Sequence, residues 1–185
     1  MYTAEINGLS VTIKYSEGLF CPSAADRGTL AMLSAAHPVP GQKCLDLGCG
    51  CGIVGIYLAK VCGENGIFAC DIDPKAVSAA KKNAAENGVS FPVYESDGLR
   101  DVPEAGFDLI LSNPPYQSDF AVAKSFIEKG FNRLKTGGTM FMVTKRRTWY
   151  ENKLRSVFGG CRVTEIDGYF VFEAEKRRPE YARKK

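Results

Sequence analysis

Histidine is almost absent from this sequence: His37 is the only one among 185 residues, and it sits beside Pro38 in a loop-forming stretch. Histidine acid–base chemistry and histidine-rich metal sites are therefore not expected. The seven cysteines (Cys21, Cys44, Cys49, Cys51, Cys62, Cys70 and Cys161) contain no CxxC pair and no regular spacing. Neither a disulfide framework nor a paired-cysteine zinc site is expected, and the odd count fits a reducing cytoplasm. Cys49 and Cys51 flank Gly50 with no second pair or histidine near them, so no metal is expected there either. MYTAEINGLS lacks a basic-then-apolar leader, and no apolar run approaches membrane-spanning length. The expectation is a cytoplasmic protein with no membrane partner.

What is present is a chain long enough to bury one core unaided, with 45% hydrophobic and 24% charged residues, the balance of a soluble globular protein. The net charge is +3, but residues 176–185 carry six basic side chains against one acid. The rest of the chain is therefore net acidic. The expected organisation is a single domain over residues 1–175 followed by a basic tail over 176–185, which is either a frayed terminus or a contact for phosphate. Nothing in the sequence sets an oligomeric state.

Strand-like and helix-like segments alternate from about residue 43, the pattern of an α/β fold with a largely parallel sheet. Before that, residues 2–6 and 9–15 alternate apolar and polar about Asn7-Gly8, which predicts a hairpin. Asp26 can cap a helix running to Ala36, closed by His37-Pro38. Strands are then expected at 43–47, 66–71, 91–95, 107–112 and 138–144, and helices at 52–61, 74–87, 119–133 and 148–158. Pro74 and Gly88 mark the start and end of one of these helices. Two last strands, 161–167 and 169–175, meet at Asp167-Gly168 as an antiparallel hairpin.

Between the first core strand and its helix lies Asp46-Leu47-Gly48-Cys49-Gly50-Cys51-Gly52. Glycines let the backbone approach a ligand with no Cβ in the way, and the helix start offers free N–H groups to an anionic group such as a carboxylate. Gly50-x-Gly52-x-x-Gly55 also fits a dinucleotide fingerprint, so a nicotinamide or flavin enzyme competes. Asp46 argues against it, because a carboxylate there would repel a pyrophosphate and attract the ammonium of an amino-acid-bearing cofactor. Asp71 ends the next strand, where an acid can take two ribose hydroxyls. Asp97, in Ser96-Asp97-Gly98, is placed either to meet an adenine amine or simply to make a turn.

The strand 107–112 runs into Asn113-Pro114-Pro115-Tyr116. Each proline fixes its own φ and forces the preceding residue out of the helical region, so Asn113 is held extended. A nitrogen conjugated to a base or carbonyl is a poor nucleophile. If the Asn113 side-chain oxygen and the Pro114 carbonyl each accept one N–H, its lone pair is turned toward an incoming methyl group. Tyr116 offers a face for a planar base. The bland reading of Pro-Pro is a rigid loop.

At these residues the chain resembles the class I S-adenosylmethionine-dependent methyltransferases, and within them the small methyltransferase domain family that includes ribosomal RNA guanine-N2 methyltransferases. The resemblance spans about residues 15–175 and is carried by DLGCGCGIVG at 46–55, CDIDP at 70–74, LSNPPY at 111–116 and LKTGGTMFMVT at 134–144. It implies a Rossmann-like, seven-stranded, mostly parallel sheet with an antiparallel C-terminal hairpin, helices on both faces and a short N-terminal β-hairpin. It implies S-adenosyl-L-methionine as cofactor, with Asp46, Gly48, Gly50 and Gly52 around the methionine portion, Asp71 at the ribose and Asp97 at the adenine. Cys49, Ile72 and Gly98 fall within the same loops and are counted with that site, as is Asn113. Asn113, Pro114, Pro115 and Tyr116 would carry the substrate amine. Gly18-Leu19-Phe20 and Asp26-Arg27-Gly28-Thr29 resemble the segment that closes over the cofactor, Thr29 being a weaker candidate contact. Two departures stand out: many guanine-N2 members have Phe where Tyr116 stands, followed by His-x-Gly, and larger bacterial members carry an extra N-terminal domain.

The activity expected is methylation of an exocyclic amine of an RNA base, foremost guanine N2 of ribosomal RNA or of a ribosomal subunit. The alternatives are adenine N-methylation in RNA or DNA and glutamine methylation of a peptide-release factor, whose enzymes use the same Asn-Pro-Pro-Tyr, and a non-catalytic RNA-binding or assembly module is the reading from another class. Lys145-Arg146-Arg147 and Lys176-Arg177-Arg178 are candidate phosphate contacts or merely solvated faces.

Overall fold

The computed structural model describes residues 1–19, 23–115 and 120–181, and Phe20 and Tyr116 of the sequence reading fall outside them. The central strands are short apolar runs buried on both faces, as parallel strands between two helical layers must be. These are β3 (Cys44–Leu47), β4 (Ile67–Asp71) and β6 (Phe107–Ser112), with the longer β7 (Leu134–Thr144) buried in its second half. With β5 (Val93–Glu95), β8 (Arg162–Ile166) and β9 (Tyr169–Glu175) they make a seven-stranded sheet in the order β5-β4-β3-β6-β7-β9-β8. β3 pairs in parallel with both β4 and β6, so the strand order reverses beside it. Ligands of open α/β sheets bind at the carboxyl ends of the strands at such a reversal. β9 is antiparallel to β7 and β8, as the sequence predicts.

Alternation along each strand divides the core in two. Leu109, Leu111, Phe141 and Val143 face a layer containing α1 (Arg27–Ala35), α2 (Ile53–Cys62) and α3 (Pro74–Glu86). Ile110, Met140, Met142 and Phe172 face α4 (Phe120–Arg133) and α5 (Arg147–Phe158). The N-terminal hairpin, β1 (Tyr2–Ile6) and β2 (Leu9–Ile13), forms its own two-stranded sheet against the first layer. Both hairpin turns have positive φ at both central residues: 49° and 82° at Asn7-Gly8, 51° and 77° at Asp167-Gly168. This is the turn whose twist matches paired strands, and Asn-Gly and Asp-Gly are the sequences that tolerate it.

Two boundaries differ from the sequence reading for identifiable reasons. β2 stops at Ile13 rather than residue 15 because the Lys14 and Tyr15 amides leave the ladder and donate to Asn83 Oδ1 at 2.9 and 3.0 Å. β7 starts at Leu134 rather than residue 138 because Leu134 already pairs with Phe107 before a register shift. In that irregular stretch the Gly137 amide donates to the Lys176 carbonyl and the Lys176 amide to the Gly138 carbonyl, and a Cβ on Gly138 would lie 2.6 Å from the Phe107 carbonyl oxygen. No helix among the described residues is long and apolar enough to cross a membrane.

Candidate active site

The loop after β3 is held from behind. The Gly48 and Cys49 amides both donate to the Cys70 carbonyl at the end of β4, at 2.9 and 3.0 Å, and the Gly52 amide closes the turn on the Cys49 carbonyl at 2.8 Å. Gly52 caps α2 with a left-handed φ of 87° and no side chain to offer the helix. The missing cap comes from Asp46, whose Oδ2 accepts the Gly55 amide at 2.9 Å, in the first turn of α2. A Cβ on Gly55 would stand 2.8 Å from the Phe91 ring, so glycine there lets α2 approach closely.

Asp46 is 2% exposed, and its burial pushes its pKa from the usual carboxylate value up to about 7, with the nearby Asp71 charge adding to the rise and the Gly55 hydrogen bond opposing it. A buried acid with one hydrogen bond is poised to gain from a cationic ligand. Asp71 curves back over the loop, its Oδ2 accepting the Gly50 amide at 2.8 Å and its Oδ1 the Asp73 amide at 3.0 Å. Each oxygen keeps a second lone pair for a hydroxyl donor.

The end of β6 is pinned to the end of β3 by the Ser112 hydroxyl, which donates to the Leu47 carbonyl at 2.8 Å. Asn113 then stands across from the glycine loop. Its Nδ2 donates to Asp26 Oδ1 at 2.6 Å and to Thr29 Oγ1 at 2.9 Å. Those two bonds fix which end of the amide is which, and Oδ1 is left buried with no hydrogen-bond partner among the described residues. Asp26 also caps α1 through the Thr29 amide at 2.8 Å.

Asp46, Gly48, Cys49, Gly50, Asp71 and Ile72 line one cleft of about 570 Å³, joined there by Asp97, Gly98, Asn113, Pro114 and Pro115. That volume suits a small-molecule site, which spans roughly 300–1,000 Å³. Ile72 is 66% exposed, an apolar face held open beside Asp71. Asp97 is half of an exposed pair with Arg100, at 3.7 Å. Gly52 is the exception: it does not line the cleft, and a Cβ there would meet Ala80 Cβ at 2.9 Å, so its place in the sequence pattern reflects the packing of the loop on α3.

Five carboxylates, of Asp26, Asp46, Asp71, Asp73 and Asp97, face this cleft, and no Lys or Arg is among the described residues that line it. A pyrophosphate would find repulsion there, whereas a ligand bearing an ammonium and a sulfonium would find attraction. The residues present thus fit S-adenosylmethionine and do not fit a dinucleotide. No cluster of His, Cys, Asp and Glu able to hold a metal occurs among the described residues.

Sequence reasoning missed the roles of four side chains. Asp26 and Thr29, read as a cap and as a cofactor-closing segment, are the partners of Asn113. Phe126 of α4 lines the cleft, 3.6 Å from where a Cβ on Gly48 would stand and 3.4 Å from one on Gly98. Asn83, fully buried, accepts from Lys14 and Tyr15 and donates to the Tyr15 and Cys51 carbonyls at 2.8 and 2.9 Å, tying the hairpin exit to the glycine loop. Its sequence signal is a polar residue on the buried stripe of α3 between Ala80 and Ala84.

Known proteins are similar to this chain in sequence and in fold. A curated ribosomal RNA small subunit methyltransferase C from Hahella chejuensis is 34% identical over 150 residues, covering 79% of this chain and 44% of the relative. Its counterpart from Acinetobacter baumannii is 31% identical over 185 residues, covering 94% and 53%. A solved T. thermophilus 16S rRNA guanine-N2 methyltransferase, RsmC, in complex with AdoMet and guanosine superposes with a TM-score of 0.88 at 30% identity, over 95% of this chain and 50% of that one. The chain spans about half the length of the curated relatives it matches. The family described as methyltransferase small domain matches residues 10–173, from β2 into β9. The chain belongs to the methyltransferase small domain family.

Proposed function

We propose that this chain transfers the methyl group of S-adenosylmethionine to an exocyclic amine of an RNA base, guanine N2 of ribosomal RNA, within the cytoplasm. The observation that carries the reading is the Asn113 amide, locked by Asp26 and Thr29 through its nitrogen so that the buried oxygen has no partner among the described residues. An acceptor fixed in this way selects a substrate with N–H to give. The names of the relatives support ribosomal RNA as the source of that amine.

Asp46 and the amides of Gly48, Cys49 and Gly50 would take the amino-acid end of the cofactor, Asp71 the ribose hydroxyls, and Asp97, Gly98 and Ile72 the adenine. The bound cofactor supplies an electrophilic methyl on sulfur. The chain's own part is to hold the amine: one N–H to Asn113 Oδ1, the other to the Pro114 carbonyl, the lone pair toward the methyl carbon. Transfer would exchange the methyl–sulfur bond for a C–N bond, the electron pair of the former leaving with sulfur. The alkylated nitrogen is then acidic and gives a proton to water, so no strong base is required. Hydrogen bonds to Asn113 and Pro114 strengthen as positive charge develops on nitrogen, which is where stabilisation lowers the barrier. Tyr116 would stack on the base. Residues 1–175 would form the catalytic unit, with 176–185 a basic extension whose first residue, Lys176, is buried and donates to the Leu134 carbonyl at 2.8 Å.

The test is transfer of labelled methyl to hypomodified ribosomal RNA, assembled subunits, transfer RNA and a release factor in parallel, followed by nucleoside mass spectrometry. Label on guanine N2 of ribosomal RNA that disappears with Asn113→Ala supports the proposal. Label on adenine or cytosine corrects the base, label on the release factor alone overturns the RNA reading, and cofactor binding with no label in any arm favours a non-catalytic RNA-binding module.

A further inference from the structure

The carboxyl edge of the sheet is divided by charge. The half above β3, β4 and β5 carries the aspartates of the cleft, whereas β7 ends in Thr144 and passes directly into Lys145, Arg146 and Arg147, all exposed. Arg147 is paired with Glu151 at 3.0 Å, but Lys145 and Arg146 form no ion pair among the described residues. They lie over aromatic rings instead: Lys145 Nζ is 4.8 Å from the Tyr169 ring centre and the Arg146 guanidinium 5.3 Å from that of Phe120. Cation–π contact orients a cation without neutralising it. Phe120 in turn stacks on Trp149, ring centres 4.4 Å apart and planes 17° from parallel, both rings half-buried. α5 itself gains nothing from these cations, since a helix dipole disfavours positive charge at its start.

Register places this group beside the methyl-acceptor site. Ser112 faces Met142 across the β6–β7 pair, Asn113 follows the first and Lys145 comes three residues after the second. With about 3.3 Å per strand residue and about 4.8 Å between strands, the backbone at Lys145 and Arg146 lies roughly 8–11 Å from that at Asn113. That is the reach of the phosphates next to a base seated at Asn113.

We propose that Lys145, Arg146 and the Phe120–Trp149 stack form the docking surface for the unpaired RNA strand flanking the target base, with phosphates on the cations and a neighbouring base on the aromatic pair. This rests on the RNA reading above. Charge complementarity selects the partner: two adjacent cations with no ion pair among the described residues fit a polyanion, and adjoining aromatic faces fit its bases.

Fluorescence anisotropy of a labelled, unpaired RNA oligonucleotide across a salt series tests it. The double variant Lys145→Glu/Arg146→Glu is expected to weaken binding about tenfold or more and to flatten the slope of log affinity against log salt by about 1.4, given ~0.7 per phosphate contact on single strands. Trp149→Ala is expected to weaken binding about tenfold. Lys81→Glu, an exposed cation on α3, should do neither. The charge variant should keep the wild-type melting temperature and cofactor affinity. Wild-type affinity and slope in the double variant would overturn the proposal, as would equal displacement of the RNA by polyglutamate, which would mark a general anion patch. Because binding is read apart from methyl transfer, RNA held through this surface with no label transferred would overturn the proposed function and leave the surface standing.

Discussion

Asn113 Nδ2 donates to Asp26 Oδ1 at 2.6 Å across a separation of 87 residues, so a helix cap near the start of the chain dictates the orientation of an amide at the carboxyl end of β6. An asparagine amide flips freely unless a neighbour distinguishes its two ends. Here a carboxylate does so, and its charge lies in line with the N–H that would polarise during transfer.

Asn113→Ala is expected to lower kcat by about 10²–10³-fold, the scale of losing one transition-state hydrogen bond, while calorimetry shows cofactor affinity little changed. Asp26→Asn keeps a good helix cap and an oxygen for Asn113 but removes the charge, and a tenfold fall in kcat is expected with melting near that of the wild type. An unchanged kcat in Asp26→Asn would mean that orientation alone matters.

Gly50 and Gly52 separate by assay. A Cβ on Gly50 meets open space, so Gly50→Ala should cost about 1 kcal/mol in stability, from its left-handed backbone, and substantially weaken cofactor binding. Gly52→Ala drives a methyl into Ala80 at a φ of 87° and should cost about 2–3 kcal/mol, read as a lower urea midpoint, whether or not cofactor is present.

Asp46 predicts a pH dependence. Its pKa is raised to about 7, so without ligand the folded protein holds this proton more tightly than the unfolded chain does. Its contribution to the stability of the free protein is therefore present below the ordinary carboxylate pKa of about 4 and is lost as pH rises through 7. A cationic ligand needs the ionised form, so binding reverses the preference: affinity for S-adenosylmethionine should climb between pH 5 and 7, by up to about tenfold per unit, and level off above. Titration in buffers of different ionisation enthalpy should show net proton release below pH 7, and Asp46→Asn should abolish both the release and the slope.

Asn83→Leu removes four hydrogen bonds from a fully buried site and strands the Lys14 and Tyr15 amides. A loss of about 3 kcal/mol in urea denaturation is expected, accompanied by weaker cofactor binding because the Cys51 carbonyl loses its anchor to α3. Retained affinity in this variant would show the glycine loop to be held sufficiently by Cys70 and Asp71.

The fold was legible wherever a local rule operates. Asn7-Gly8 and Asp167-Gly168 announce their turns, Pro74 and Gly88 their helix ends, and the doubly buried runs at β3, β4 and β6 their place at the centre of a parallel sheet. What escaped depends on groups distant in sequence. The early end of β2 is caused by Asn83, about seventy residues on, and the extension of β7 to Leu134 by pairing with Phe107. At the site, Asp46, Asp71 and Asn113 could be singled out because each lies at or next to the carboxyl end of a strand, on the ligand-bearing edge. Asp26 reads as an ordinary helix cap, and nothing local reveals its second partner. Gly52 belongs to the same glycine pattern as Gly50, and only the proximity of Ala80 separates a packing glycine from one that faces the ligand.

The orphaned Asn113 oxygen also bears on how many times one atom can be modified. Under the proposed clamp an unmodified amine brings two hydrogens to two acceptors. Once methylated it has a single hydrogen left, and the new methyl must occupy the side of the nitrogen that faced either the buried Asn113 oxygen or the Pro114 carbonyl, leaving that acceptor against carbon. The second round therefore begins from a worse complex than the first, and the site counts hydrogens: mass spectrometry of exhaustively treated RNA should show one added methyl per target base and no dimethylated product.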